Sequence, residues 1–180
     1  MNKDIKEILI SEEEITAITM DIADRINKDY EGKTLLLVGL LKGSLNFMAE
    51  LMKYITIPCK IDFMAVSSYG NGTESTGRVN IVKDVSTSLE GVDVLIIEDI
   101  IDSGNTLSFI LKYFKAKNCK SVEIATLLDK PSRRKVEVPV KYSGRAIEDL
   151  FVVGFGLDYA EYYRNLPYIG VLKESVYEME

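Results

Sequence analysis

The stretch DVLIIEDIIDSGNTLSFILKYF, residues 93–114, decides the fold. Val94 to Ile97 are successive apolar residues, the pattern of a strand covered on both faces. Glu98 and Asp99 follow, then Asp102, so three carboxylates fall within five residues at the end of that strand. Ser103-Gly104-Asn105-Thr106 comes next, and beyond it apolar residues return at helical spacing. The pattern predicts a buried strand over about 92–98, a loop, and a helix over about 105–117.

Parallel sheets of this kind bind ligands beyond the carboxyl ends of their strands. Backbone N–H groups at a helix start point outward unpaired and attract anions. Gly104 lets the backbone approach a ligand closely, and Ser103 and Thr106 add hydroxyl donors. The loop therefore reads as a phosphate cradle. Carboxylates repel phosphate, so the acids fit if each meets another part of the same ligand, a sugar diol or a divalent cation. The plainer alternative makes Glu98 and Asp99 solvated acids ending a strand and Asp102 a helix N-cap. Acids set between an all-apolar strand and a glycine loop favour the functional reading.

Elsewhere the chain alternates helices and strands. Ser11 and Glu14 have capping-box spacing ahead of Ile15, Ile18, Ile22 and Ile26, which predicts an amphipathic helix over about 12–30. KTLLLVGL (33–40) is a buried strand, and SLNFMAELMKYI (44–55) a helix with Leu45, Met48, Leu51, Met52 and Ile55 on one face. CKIDFMAVSSY (59–69) and RVNIVKD (78–84) read as strands, and the polar, glycine-rich GNGTESTG (70–77) as a loop joining two arms of a hairpin. SVEIATLLD (121–129) is a further buried strand. This order predicts an α/β fold with a mostly parallel central sheet flanked by helices on both faces. After residue 129 the chain turns polar, with short apolar runs at 151–157 and 168–173, and reads as a smaller appended lobe, or hood, formed largely from 130–180.

Composition narrows the chemistry. The chain has 180 residues, 47% of them apolar, which suits one globular domain. The net charge of −6 argues against a nucleic-acid binder working by phosphate neutralisation. No segment is apolar enough to span a membrane, and the N-terminus lacks a signal-peptide pattern. Cys59 and Cys119 form no framework or zinc spacing and read as packing or surface thiols, which fits a reducing cytoplasm. With no histidine, acid–base work falls to Asp, Glu, Lys or Tyr, and a metal to oxygen ligands.

VLIIEDIIDSGNTL resembles the phosphoribosyl-pyrophosphate motif of the type I phosphoribosyltransferases, and most closely the hypoxanthine-guanine phosphoribosyltransferase family. The resemblance runs from about residue 33 to 173, with further motifs in the family's order. LVGLLKGS (37–44) matches the turn that binds pyrophosphate. It implies pyrophosphate contacts for Leu41, Lys42 and Gly43, with a cis peptide between Leu41 and Lys42. SSYGNGTESTG (67–77) matches a lid closed by Ser68 and Tyr69, which would keep an activated ribose from water. LLDKPSRR (127–134) puts Lys130 against the 6-oxygen of a purine, where an ammonium can only donate and so selects 6-oxo over 6-amino bases. In DLFVVGFGLDYAEYYRNLPYIGVL (149–172), Phe151 would stack on the base and the Val152 backbone read its edge. Asp158 would lie near the metal and the 2-position of the base, as part of the purine site, and Arg164 would reach pyrophosphate.

The resemblance implies Mg²⁺-dependent transfer of phosphoribosyl from phosphoribosyl pyrophosphate to hypoxanthine or guanine, giving IMP or GMP and pyrophosphate. Glu98 and Asp99 would hold the ribose diol and, with Asp158, the metal. Asp102 would be the general base beside purine N7, and residues 103–106 would hold the 5′-phosphate. A cytoplasmic homodimer or homotetramer is also implied. Asn105 departs from relatives that carry a basic residue there, which implies weaker phosphate binding. Xanthine or a pyrimidine as substrate is an alternative, as is a nucleic-acid-binding regulator on the same fold. The acidic balance and Asp102 weigh against the regulator. Neither GxGxxG after a strand nor GxxxxGK[ST] occurs, which excludes the common dinucleotide and P-loop modules.

Overall fold

The structure is a computed structural model and describes residues 2–68 and 79–178, the Ser68 side chain excepted. A six-stranded sheet forms the body, from β2 (Leu35–Leu41), β3 (Cys59–Ser68), β4 (Val79–Lys83), β5 (Asp93–Ile101), β6 (Ser121–Asp129) and β7 (Tyr142–Ala146). Its spatial order is β4-β3-β2-β5-β6-β7, parallel throughout except for the antiparallel β3–β4 pair. The chain leaves β2 towards β3 on one side and β5 towards β6 on the other. The direction of winding therefore reverses between the adjacent strands β2 and β5, which opens a crevice at their carboxyl ends.

Two apolar layers cover this sheet. Successive strand residues point to opposite faces. Leu35, Leu37, Leu95 and Ile97 pack on one side against α1 (Glu12–Asp29) and α2 (Leu45–Met52). Leu36, Val38, Val94 and Ile96 pack on the other against Leu107, Ile110 and Phe114 of α3 (Asn105–Ala116). α1 opens with the expected capping box: the Glu14 N–H donates to Ser11 Oγ at 3.3 Å, and the Ser11 N–H to Glu14 Oε2 at 2.9 Å. In α2 the buried face is Phe47, Met48 and Leu51, whereas Leu45, expected inside, is 50% exposed. At 3.6 residues per turn Leu45 falls roughly 120° from Leu51, outside so narrow a buried arc.

A second, three-stranded antiparallel sheet has the order β1-β9-β8, from β1 (Ile5–Ile10), β8 (Val152–Val153) and β9 (Ile169–Leu172). Two strands escaped the sequence reading. β1 has only Ile10 fully buried, so little apolar alternation marks it. β7 is Tyr-Ser-Gly-Arg-Ala, whose single buried residue is Tyr142. It continues the large sheet beyond β6, although the polar segment around it pointed to the smaller lobe. β5 runs three residues past its expected end, so Glu98 and Asp99 lie within the strand's last turn of pleat. A short helix, α4 (Glu174–Tyr177), follows β9. Among the described residues no helix is long and apolar enough to cross a membrane.

Candidate active site

The crevice between β2 and β5 gathers the pieces. Gly39 pairs with Ile97, two residues ahead of Leu41 on one strand and Asp99 on the other. The Leu41–Lys42 peptide is cis, where the family resemblance put it. Gly43 then passes directly beneath the Asp99 carboxylate, in the space a Cβ would need. On its other side the Gly43 carbonyl meets Gly156, where a Cβ would also collide. Gly156 has φ +102°, a conformation L side chains rarely adopt. Ser44 is fully buried at the start of α2, and its hydroxyl has no hydrogen-bond partner among the described residues.

Glu98 and Asp99 are half-buried neighbours. The Asp99 N–H donates to Glu98 Oε1 at 3.2 Å, and the Ile100 N–H to Asp99 Oδ1 at 2.8 Å. Burial, and then the charge of Asp99, push the Glu98 carboxyl well above the ordinary range; burial raises Asp99 too. Two acids so placed gain from a hydroxyl pair or a cation that relieves their repulsion. Among the described residues no three His, Cys, Asp or Glu side chains form a metal-binding cluster. Asp158, the third acid expected near the metal, lines the same hollow as Asp99, accepts from the Glu161 N–H at 2.9 Å and pairs with Arg164 Nη1 at 2.9 Å. The pair still fits Mg²⁺, which commonly takes one or two carboxylates and completes its shell with water and substrate phosphates.

The loop after β5 is built as a cradle. Gly104, with φ +83°, is the N-cap of α3, so Asp102 does not cap the helix and the plainer alternative for it falls. Ser103 Oγ accepts from the Asn105 N–H at 3.4 Å, and the Ser103 carbonyl accepts from the Lys135 and Val136 N–H groups at 2.9 and 3.1 Å. Thr106 and Asn105 stand half-buried in the first turn. A hollow of about 140 Å³ opens here, lined by Glu98, Asp102, Ser103, Gly104 and Thr106. It adjoins a second of about 270 Å³, lined by Asp99, Asp102, Lys130, Phe151, Val152 and Asp158. Asp102 and Ile100 belong to both.

The second hollow holds the residues expected to read a base. Lys130 follows β6 and donates through Nζ to the Leu150 carbonyl at 2.7 Å, with Asp149 Oδ1 at 3.7 Å. The Phe151 ring stacks on Tyr177, centroids 4.7 Å apart, and meets Tyr159 edge-on at 5.6 Å. Val152 is buried in β8. Arg164 donates to the Gly156 carbonyl at 2.7 Å. The expected lid, Tyr69 and the loop 70–77 with the Ser68 side chain, lies outside the described residues.

Two side chains went unremarked in the sequence. Arg133 Nε donates to Asp102 Oδ1 at 2.9 Å. Its doublet with Arg134, just after Lys130, was the available signal. Glu161 Oε2 lies 2.9 Å from Lys42 Nζ and 3.4 Å from Arg164 Nη2, and the Lys42 hydrogen bond lowers its carboxyl below the usual value. Nothing in its local sequence marks it.

A family model for the phosphoribosyl transferase domain matches residues 5–160. The chain is 54% identical to the hypoxanthine-guanine phosphoribosyltransferase of Staphylococcus aureus, over 98% of this chain and 99% of that protein. It is 54% identical to the enzyme of the same name from Bacillus subtilis, over 99% of each. A crystal structure of hypoxanthine phosphoribosyltransferase from Staphylococcus aureus superposes with a TM-score of 0.95 at 54% identity, covering 98% of this chain and 96% of that one. With the crevice, the cradle and the paired acids in place on this fold, the chain belongs to the phosphoribosyltransferase family.

Proposed function

We propose that this protein is a purine-salvage hypoxanthine-guanine phosphoribosyltransferase. It transfers 5-phosphoribosyl from phosphoribosyl pyrophosphate to N9 of hypoxanthine or guanine, giving IMP or GMP and pyrophosphate. The observation that carries the reading is the position of Asp102, on the wall of both the cradle hollow and the hollow lined by Lys130 and Phe151. A carboxylate between a phosphoribosyl site and a base site is where a proton must be taken up as the base attacks.

The roles follow from chemistry. Ser103, Gly104, Asn105 and Thr106 hold the 5′-phosphate with backbone and hydroxyl donors. Glu98 and Asp99 accept hydrogen bonds from the ribose hydroxyls. The same pair, with Asp158 nearby, would hold Mg²⁺, whose charge when bound supports departure of the diphosphate. Leu41, Lys42 and Gly43 with Arg164 receive pyrophosphate, and the two cations stabilise its charge as the anomeric carbon turns oxocarbenium-like. Phe151 stacks on the purine, the Val152 backbone reads its edge, and Lys130 donates to the 6-oxygen. Asp102 accepts the N7 proton. Ser68 and Tyr69 close the lid. The three-stranded sheet serves as the hood over the base, and the enzyme works in the cytoplasm as a homodimer or homotetramer.

A spectrophotometric assay with phosphoribosyl pyrophosphate, Mg²⁺ and each of hypoxanthine, guanine, xanthine and adenine tests this. Turnover of the first two, and little or none of adenine, is expected. No turnover of any purine would overturn it.

A further inference from the structure

The two cations assigned to pyrophosphate face a carboxylate of the chain itself. Lys42 Nζ lies 2.9 Å from Glu161 Oε2, and Arg164 Nη2 lies 3.4 Å from that same oxygen. One acid therefore bridges two cations from distant parts of the sequence. The loop that delivers it is unusual: Ala160, Glu161 and Tyr163 all have positive φ, at +50°, +70° and +74°. A left-handed conformation at a residue other than glycine costs on the order of 1–3 kcal/mol and persists where its surroundings impose it. Asp158 supplies part of that constraint, accepting from the Glu161 N–H at 2.9 Å while pairing with Arg164. Glu161 itself is 63% exposed and Lys42 66%, so this contact contributes little to holding the fold.

We propose that Glu161 is an internal stand-in for the diphosphate, a carboxylate that neutralises Lys42 and Arg164 when the leaving-group site is empty and must give way when a diphosphate arrives. It thereby sets the affinity for the diphosphate end of the ligand, and its return favours release of pyrophosphate. The inference rests on the assignment of Lys42 and Arg164 to pyrophosphate made above. The alternative role for such a carboxylate is to hold the two cations in place, and the two roles have opposite consequences. A competitor's removal tightens binding of the diphosphate, whereas a positioning group's removal weakens it.

The test is titration calorimetry of Mg²⁺-pyrophosphate, and separately of GMP, into the parent protein and Glu161→Gln. GMP carries the 5′-phosphate and the base but no diphosphate at Lys42. Pyrophosphate is expected to bind the variant about fivefold more tightly, the size of effect that exposed ion pairs support, with GMP unchanged. Weaker or unchanged pyrophosphate binding would overturn the proposal while leaving the site assignment standing. An equal tightening for both ligands would reduce it to the loss of one negative charge. A parent protein that binds no pyrophosphate at all would overturn the site assignment and the proposal together.

Discussion

Arg133 Nε donates to Asp102 Oδ1 at 2.9 Å, and the same guanidinium reaches Asp149 Oδ2 through Nη1 at 3.4 Å. Since Asp149 also faces Lys130, Asp102 is linked to Lys130 through alternating charges. Asp102 and Arg133 are about half exposed, so their pairing contributes at most about 1 kcal/mol to stability. Asp102→Asn should therefore keep the fold while losing the base. We expect kcat to fall on the order of 10²–10³-fold with the melting temperature nearly unchanged. Steady-state kinetics beside a thermal melt checks this, and turnover that survives would remove Asp102 from the mechanism.

Lys130 is only 12% exposed at its side chain and already committed to the Leu150 carbonyl. Lys130→Met keeps the aliphatic stem and removes the donor. KM for hypoxanthine and guanine should rise roughly 10–100-fold, as expected for loss of a hydrogen bond from a charged group. KM for phosphoribosyl pyrophosphate should stay put. A variant that discriminated adenine as well as the parent does would shift base selection to another group.

The paired acids make a statement about pH. Glu98 holds its proton more tightly in the folded chain than in the unfolded one, chiefly through burial. The folded state therefore binds more protons than the unfolded state once pH rises past the ordinary value of 4.5, and stability falls with rising pH from there towards the raised value. Glu98→Gln removes this loss. The variant should gain on the parent as pH rises from 5 to 8, in both Tm and unfolding free energy. Melts of both proteins at pH 5 and pH 8 would show it, and an equal difference at the two pH values would sink the idea.

Gly156 rests against the Gly43 carbonyl with φ +102°. An alanine there meets both a steric clash and a disfavoured backbone. Gly156→Ala should cost on the order of 2–4 kcal/mol, read by denaturant unfolding. Because the displaced neighbour is the loop after β2, activity should suffer more than stability alone explains. A loss of stability with unchanged kcat/KM at low temperature would separate the two.

The central sheet was legible because burial on both faces leaves apolar runs, and Val94–Ile97 and KTLLLVGL carry that mark plainly. The strand–loop–helix frame around residues 98–106 was legible because a glycine loop follows an all-apolar run and precedes helical spacing. What stayed hidden depends on tertiary pairing. β1 and β7 each contribute a single fully buried apolar residue, so their backbone hydrogen bonds, not their side chains, make them strands. Glu161 and Arg133 matter through partners more than thirty residues away in sequence, Lys42 at a separation of 119 and Asp102 at 31. No local window contains such a relationship. The extension of β5 to Ile101 was likewise set by its ladder with β6, which continues through Ile101 opposite Asp129.

The sheet that carries Val152 is closed by strands from far ends of the sequence, with Ile5 paired to Leu172 and Val152 to Val171. The parallel sheet needs nothing beyond Ala146 to complete its ladders. The parallel sheet can therefore close its ladders first, while Ile5–Ile10 waits, unpaired, for β9 to leave the ribosome. The wall that carries Val152 is thus the last part of the fold to close, and Ile5–Ile10 keeps an open strand edge until Ile169–Leu172 pairs with it.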